Sequence, residues 1–204
     1  NARPEDCSVE ELGDGDWIGY VGSLHPWQGI DTLVDGFAMA APDLPDLRLM
    51  VIHNGRKVPV KPLMKRIRKR VVAGRVAVRG PLAPAALGPA LASFKFTAAP
   101  LAETARNTRQ GCCPVKIIES MAAGSPVLAS DLRVCRELID HGENGFLAPP
   151  GKPRAWARAI RRLAEDHELT SSMAAAAREK GARDFAATVV RERMAGLFLQ
   201  TAGA

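Results

Sequence analysis

Short apolar runs alternate with helical-period segments along nearly the whole chain, and that alternation restricts the possible folds more than any other feature of its 204 residues. Trp17 to Val21, Leu47 to Ile52, Val76 to Val78, Phe94 to Ala98, Pro126 to Ala129 and Phe146 to Leu147 read as short buried strands. Between them lie stripes at helical spacing. Ile30, Leu33, Val34, Phe37, Ala38 and Ala41 form one, and Met64, Ile67 and Val71 form another on a basic segment. Strands alternating with helices demand a parallel sheet covered on both faces. The expected fold class is therefore α/β: a doubly wound, Rossmann-like parallel sheet of about six strands in the order 3-2-1-4-5-6, with C-terminal helices. Such an order opens a ligand crevice at the C-terminal strand ends, bordered here by Gly22 and the 110–119 region. Two further stripes close the chain, Trp156, Ala159, Ile160 and Leu163, then Val190, Met194, Leu197 and Phe198. Residues 1–16 are polar and expected to be irregular, and 17–204 to form one domain.

Composition narrows the classes further. Hydrophobic residues make up 47% and charged residues 25%, the balance of a globular protein. No apolar run approaches the ~20 residues that span a bilayer. The start is polar and acidic, unlike a signal peptide, and lacks an initiator Met, so a piece of a longer cytoplasmic chain is expected. Cys7, Cys112, Cys113 and Cys135 include no C-x-x-C pair, which fits a reducing compartment without structural zinc. Net charge is +6, with much of the excess between Arg56 and Arg75. A solvated outer helix face is the preferred reading of that segment. A weak contact with an anionic membrane surface comes second. Nucleic acid is not expected as a partner, because aromatics are 5% and none interleave with these charges. Gly19, Gly22 and Gly29 do not make G-x-G-x-x-G, residues 145–153 miss the P-loop spacing, and no Asp/His cluster has metal-site spacing.

Residues Gln110 to Asp131, QGCCPVKIIESMAAGSPVLASD, carry the chemistry. Pro114 suits a first helical turn, Ile117, Ile118, Met121 and Ala122 make one apolar helix face, and Gly124 suits a left-handed stop. The free N–H groups at this helix start can hold an anion. Glu119 is one turn further along. A carboxylate beside an anion site suits a ligand that also offers hydroxyls, and a nucleoside diphosphate offers both.

PVKIIESMAAGSPVLASD resembles the donor-site signature of family-4 glycosyltransferases, which have the GT-B fold. Ile18 to Val34 is similar to that family's first strand, glycine-rich turn and helix, and Glu137 to Pro150 to its usual continuation. The resemblance implies the C-terminal, donor-binding half of an enzyme that transfers a sugar from a nucleotide-diphosphate sugar with retention of configuration. It implies no metal and no cofactor beyond that substrate. It also implies an N-terminal acceptor domain as partner, which would carry the catalytic residues. Glu119 would grip the ribose. Pro114, Val115, Lys116 and Cys113 would face the diphosphate, with Gly22 and Gly29 in the glycine-rich turn and Arg79 near the base. Many members carry Arg and Lys where this chain has Ser23 and Gln28, so the compensating charge falls to Lys116, Arg106 or Arg109. The family's first glutamate, which touches the sugar, is replaced by Gly111, leaving the sugar to Gln110 or backbone amides. A degenerate, non-catalytic nucleotide- or anion-binding module is the alternative, and a basic module centred on Lys61 to Arg75 is a third.

Overall fold

A computed structural model describes residues 16–55, 59–70 and 72–202, with the backbone alone at 73, 193 and 196–202. Cys7, Val71 and the start up to residue 15 lie outside the described residues. Six parallel strands form one sheet in the order β3-β2-β1-β4-β5-β6. They are β1 Asp16–Gly22, β2 Leu47–His53, β3 Val76–Arg79, β4 Phe96–Ala99, β5 Val127–Ser130 and β6 Gly145–Ala148. Among the described residues, eight α-helices accompany them: α1 Ile30–Ala40, α2 Lys61–Lys69, α3 Pro84–Ser93, α4 Val115–Ala122, α5 Arg133–Arg136, α6 Pro153–Glu165, α7 His167–Phe185 and α8 Ala187–Ala202.

Strand alternation feeds two cores. Leu49 and Val51 of β2 join Phe37, Ile67, Trp156 and Ile160 on the face covered by α1, α2 and α6. Met50 and Ile52, their neighbours, pack with Leu91 and Phe94 on the opposite face. Ile117 and Met121 of α4 join Val127, Ala129 and Leu138 in a third cluster. The helix α1 approaches α6 so closely that a Cβ on Gly36 would lie 2.7 Å from the Trp156 Cβ.

Three expectations need correction. The helix α2 is shorter than expected and turns Leu63 and Ile67 inward, with Met64 only partly buried. The cause is the buried Asp35 of α1, whose carboxylate accepts from Arg66 Nη1 (2.8 and 3.0 Å) and from Arg70 Nε and Nη2 (both 2.8 Å). Burial pushes the Asp35 carboxyl up, but the hydrogen bonds from Arg70 and Arg66 outweigh it and hold it below its ordinary value. Arg75 donates to the carbonyls of Ala41 (2.6 Å), Leu44 and Leu47. The basic segment is thus a solvated face at Lys61, Lys65, Arg68 and Lys69, but a structural clamp at Arg66, Arg70 and Arg75. Second, Val190 and Met194 do not face inward; both are exposed on α8. Third, Ala122 is exposed, so the apolar face of α4 rests on Ile117 and Met121.

The outer edge of β6 is occupied by its own preceding turn. The Gly142 amide donates to the Gly145 carbonyl (2.9 Å), and the Leu147 amide donates to Nδ1 of His141 (2.9 Å).

Candidate functional site

The strand order reverses between β1 and β4, and the C-terminal ends of these strands open onto a cleft of about 320 Å³. Gly22 ends β1 with φ at 152°, a value that suits glycine, and a Cβ there would lie 2.7 Å from Lys116 Nζ. The chain then makes a 3₁₀ turn over Pro26–Gln28. On the other side, β4 runs into a loop that contains a π-helical turn, Arg106–Gln110. Asn107 is fully buried and holds the two loops together: Nδ2 donates to the carbonyls of Trp27 and Ala102, both at 2.8 Å. The Ala102 amide donates to the same Trp27 carbonyl (3.0 Å). Trp27 is stacked on one side by His25, ring centroids 4.1 Å apart, and carries the Arg106 guanidinium 5.3 Å from its centroid.

The helix α4 starts at Val115, with Pro114 as its cap rather than inside its first turn. The Val115 amide already donates to the Cys113 carbonyl (2.9 Å), which engages one of the amides expected to face an anion. Lys116 extends to the foot of the cleft. Its Nζ donates to Gln28 Oε1 (2.7 Å) and lies 4.3 Å above the centroid of the Tyr20 ring. Tyr20 is itself buried, and its hydroxyl donates to the Ser23 carbonyl (2.5 Å). Burial pushes the Lys116 ammonium down to about 7, against the opposing pull of Cys135 and Glu119. Burial likewise raises the Glu119 carboxyl, while Lys116 lowers it. The Glu119 carboxylate accepts no hydrogen bond among the described residues, although it lines the cleft. Cys135 is buried and its thiol is pushed up to about 12, so it is a packing group rather than a nucleophile.

Of the residues singled out in the sequence, the cleft gathers Gly22, Gln28, Cys113, Pro114, Val115, Lys116 and Glu119, together with Arg106. It adds Cys112, within the 110–119 region expected to border the crevice, and Val21 and Leu101, for which the sequence offered no signal. Six others do not line it, Arg109 and Gln110 of the π-helical turn among them. Ser23 contributes its carbonyl to Tyr20. Gly29 caps the 3₁₀ turn, next to the Pro100 carbonyl. Gly111 has φ at 77°, and a Cβ there would meet nothing within 4 Å. Arg79 ends β3, paired with Ile52, two strands away from β1. Among the described residues, no group of three or more His, Cys, Asp or Glu side chains is placed to hold a metal ion.

Residues 15–166 match the family described as glycosyl transferases group 1. The chain belongs to that family. Its sheet is the Rossmann-like unit of GT-B glycosyltransferases. A D-inositol 3-phosphate glycosyltransferase of Jonesia denitrificans is 32% identical over 170 residues, which cover 81% of this chain and 38% of that protein. The Anabaena protein Alr3699/HepE, solved in complex with UDP-glucose, aligns with a TM-score of 0.80 at 25% identity, over 94% of this chain and 51% of that one. The C-terminal domain of a group 1 family protein, LpcC of Francisella tularensis, aligns with a TM-score of 0.74 at 17% identity, over 87% of this chain and 90% of that domain. This group 1 chain therefore spans well under two thirds of the length of the curated relative, and one whole domain in the Francisella case.

Proposed function

We propose that this chain is the donor-binding domain of a retaining glycosyltransferase and takes a nucleotide-diphosphate sugar in the cleft between Gly22 and α4. The observation that carries the reading is the pairing of Glu119 with Lys116 on one helix. The carboxylate accepts no hydrogen bond among the described residues, and the ammonium is held against Gln28 and near Gly22. Glu119 accepts from the ribose hydroxyls. Lys116 takes the place of the basic side chains missing at Ser23 and Gln28, and stabilises the charge that develops on the departing diphosphate. The catalytic residues and the acceptor belong to an N-terminal partner domain that closes over the cleft. No cofactor or metal enters this reading. Among the described residues, no helix is long and apolar enough to cross a membrane. Work in the cytoplasm, with Lys61, Lys65, Arg68 and Lys69 turned to an anionic membrane surface, is part of the proposal. The UDP-glucose complex of the Anabaena protein supports a uridine donor. A degenerate binding module is the second reading, favoured by Gly111 where the family has a glutamate.

A thermal-shift titration with UDP, GDP, ADP, TDP and CDP tests the reading. A specific nucleotide raises the melting temperature in proportion to the logarithm of its concentration once it exceeds Kd. A flat response to all of them removes the donor-domain reading.

The buried lysine adds a pH signature. Lys116 is ordinarily protonated up to 10.5 but titrates near 7 in the ligand-free cleft. A bound diphosphate restores the ammonium, so binding above pH 7 takes up a proton. Affinity for the diphosphate is expected to fall by up to about tenfold per pH unit above 7, and to lose that slope in Lys116→Met. The sign for stability is opposite. The native state binds fewer protons than the unfolded chain between about 7 and 10.5, so ligand-free stability gains from Lys116 as pH rises through that window. Calorimetric Kd values at pH 7, 8 and 9 decide the matter, and equal slopes in both proteins would exclude Lys116 as the responsive group.

A further inference from the structure

The cleft holds a second cation, Arg106, as well as Lys116. With Glu119 on the ribose and Lys116 at the α4 start on the diphosphate, the donor runs towards the N-terminal end of α4. On that reading its sugar would lie towards Cys113 and Cys112, which line the cleft there. Arg106 belongs to that end. Its Nη1 donates to Asn107 Oδ1 (3.3 Å), and the same oxygen accepts from the Cys112 thiol (3.6 Å). Lys116 is tied to Gln28 and Tyr20. The guanidinium is aligned in advance, resting on the Trp27 ring and on a buried Asn107 whose amide bonds are all made within the fold. Among the described residues, no carboxylate pairs with Arg106. Where a carboxylate side chain would oppose a negatively charged sugar, Gly111 leaves open space.

We propose that the donor sugar is a hexuronic acid, whose carboxylate is taken by Arg106. A guanidinium fork fits a carboxylate through two parallel charge-assisted hydrogen bonds, and it has no comparable match among neutral sugar hydroxyls. Arg106 is then a specificity residue for the sugar rather than a ligand of the nucleotide. The inference rests on the donor-domain reading.

The experiment measures Kd by calorimetry on the 204-residue chain and on Arg106→Gln and Arg106→Lys. The ligands are the nucleoside diphosphate selected by the thermal-shift panel, its neutral hexose and its hexuronate. For uracil these are UDP, UDP-glucose and UDP-galactose, UDP-glucuronate and UDP-galacturonate. The expected result is that one acid binds about tenfold tighter than its neutral counterpart, the worth of one good charged contact. Arg106→Gln should weaken that acid about tenfold more than it weakens the bare diphosphate, and Arg106→Lys should fall between. Equal or tighter binding of both neutral sugars overturns the proposal while leaving the donor domain standing. So does Arg106→Gln weakening the bare diphosphate as much as the acid, which would make Arg106 a diphosphate ligand. If no diphosphate binds at all, the donor reading falls first and this one with it.

Discussion

Glu119→Ala is expected to weaken nucleoside diphosphate binding by about a hundredfold while leaving the ligand-free fold intact. A carboxylate accepting from two adjacent hydroxyls makes two charge-assisted bonds, and two decades in affinity correspond to about 2.7 kcal/mol. The fold has little to lose, because this carboxylate accepts no hydrogen bond among the described residues and burial already raises its pKa. The neighbouring Lys116 loses a favourable charge, so its own affinity for a proton drops slightly further. Glu119→Gln keeps one acceptor oxygen and should recover part of the loss. Calorimetry with the diphosphate and with the corresponding nucleoside checks the assignment. A loss of less than about threefold, well below one charged hydrogen bond, would show that the ribose is held elsewhere.

Gly29→Ala carries the largest expected cost in stability. Gly29 has φ at 66°, and a Cβ added there would lie 1.8 Å from the Pro100 carbonyl oxygen and 3.1 Å from the Ala102 amide. Both obstacles are backbone, so neither can swing aside as a side chain would. The left-handed conformation costs an alanine about 1–2 kcal/mol, and forced displacement of packed backbone adds about 1–3 kcal/mol. In a domain of this size the melting temperature should fall by about 10 °C. The damage reaches function, because the same contact seats the β1 loop against the loop that bears Arg106. Thermal unfolding followed by circular dichroism measures it, and a drop under about 2 °C would mean that the two loops separate at little cost.

The inner strands were legible because they are largely buried on both faces and so read as apolar runs, whereas the edge strands β3 and β6 are only partly buried. The order of the sheet followed from alternation with helices. The inward face of α2 was legible at Ile67 but not at Leu63. Its orientation is set by Asp35, thirty-one residues before Arg66, and an acidic residue on an apolar helix face gives no hint of its partners. Val190 and Met194 recur at helical spacing, yet periodicity says nothing about whether another surface covers them. At the site, Glu119, Lys116 and Gly22 were legible from local spacing and from the family pattern, and they do share one cleft. Arg79, placed by topology, and Ser23, placed by the family pattern, are not among the residues that line it. The role of Asn107 in joining two loops was beyond reach, since its partner Trp27 is eighty residues earlier.

The turn before β6 has a consequence for how copies of this protein meet. A parallel sheet ends in a strand whose outward amides and carbonyls are an open template, and two molecules can extend one another through it. Here the Gly145 carbonyl and the Leu147 amide are already taken by Gly142 and His141 of the same chain. Self-recognition through this border is therefore opposed by one backbone and one histidine side-chain hydrogen bond within the chain rather than by charge repulsion, and salt that screens surface charges leaves both in place.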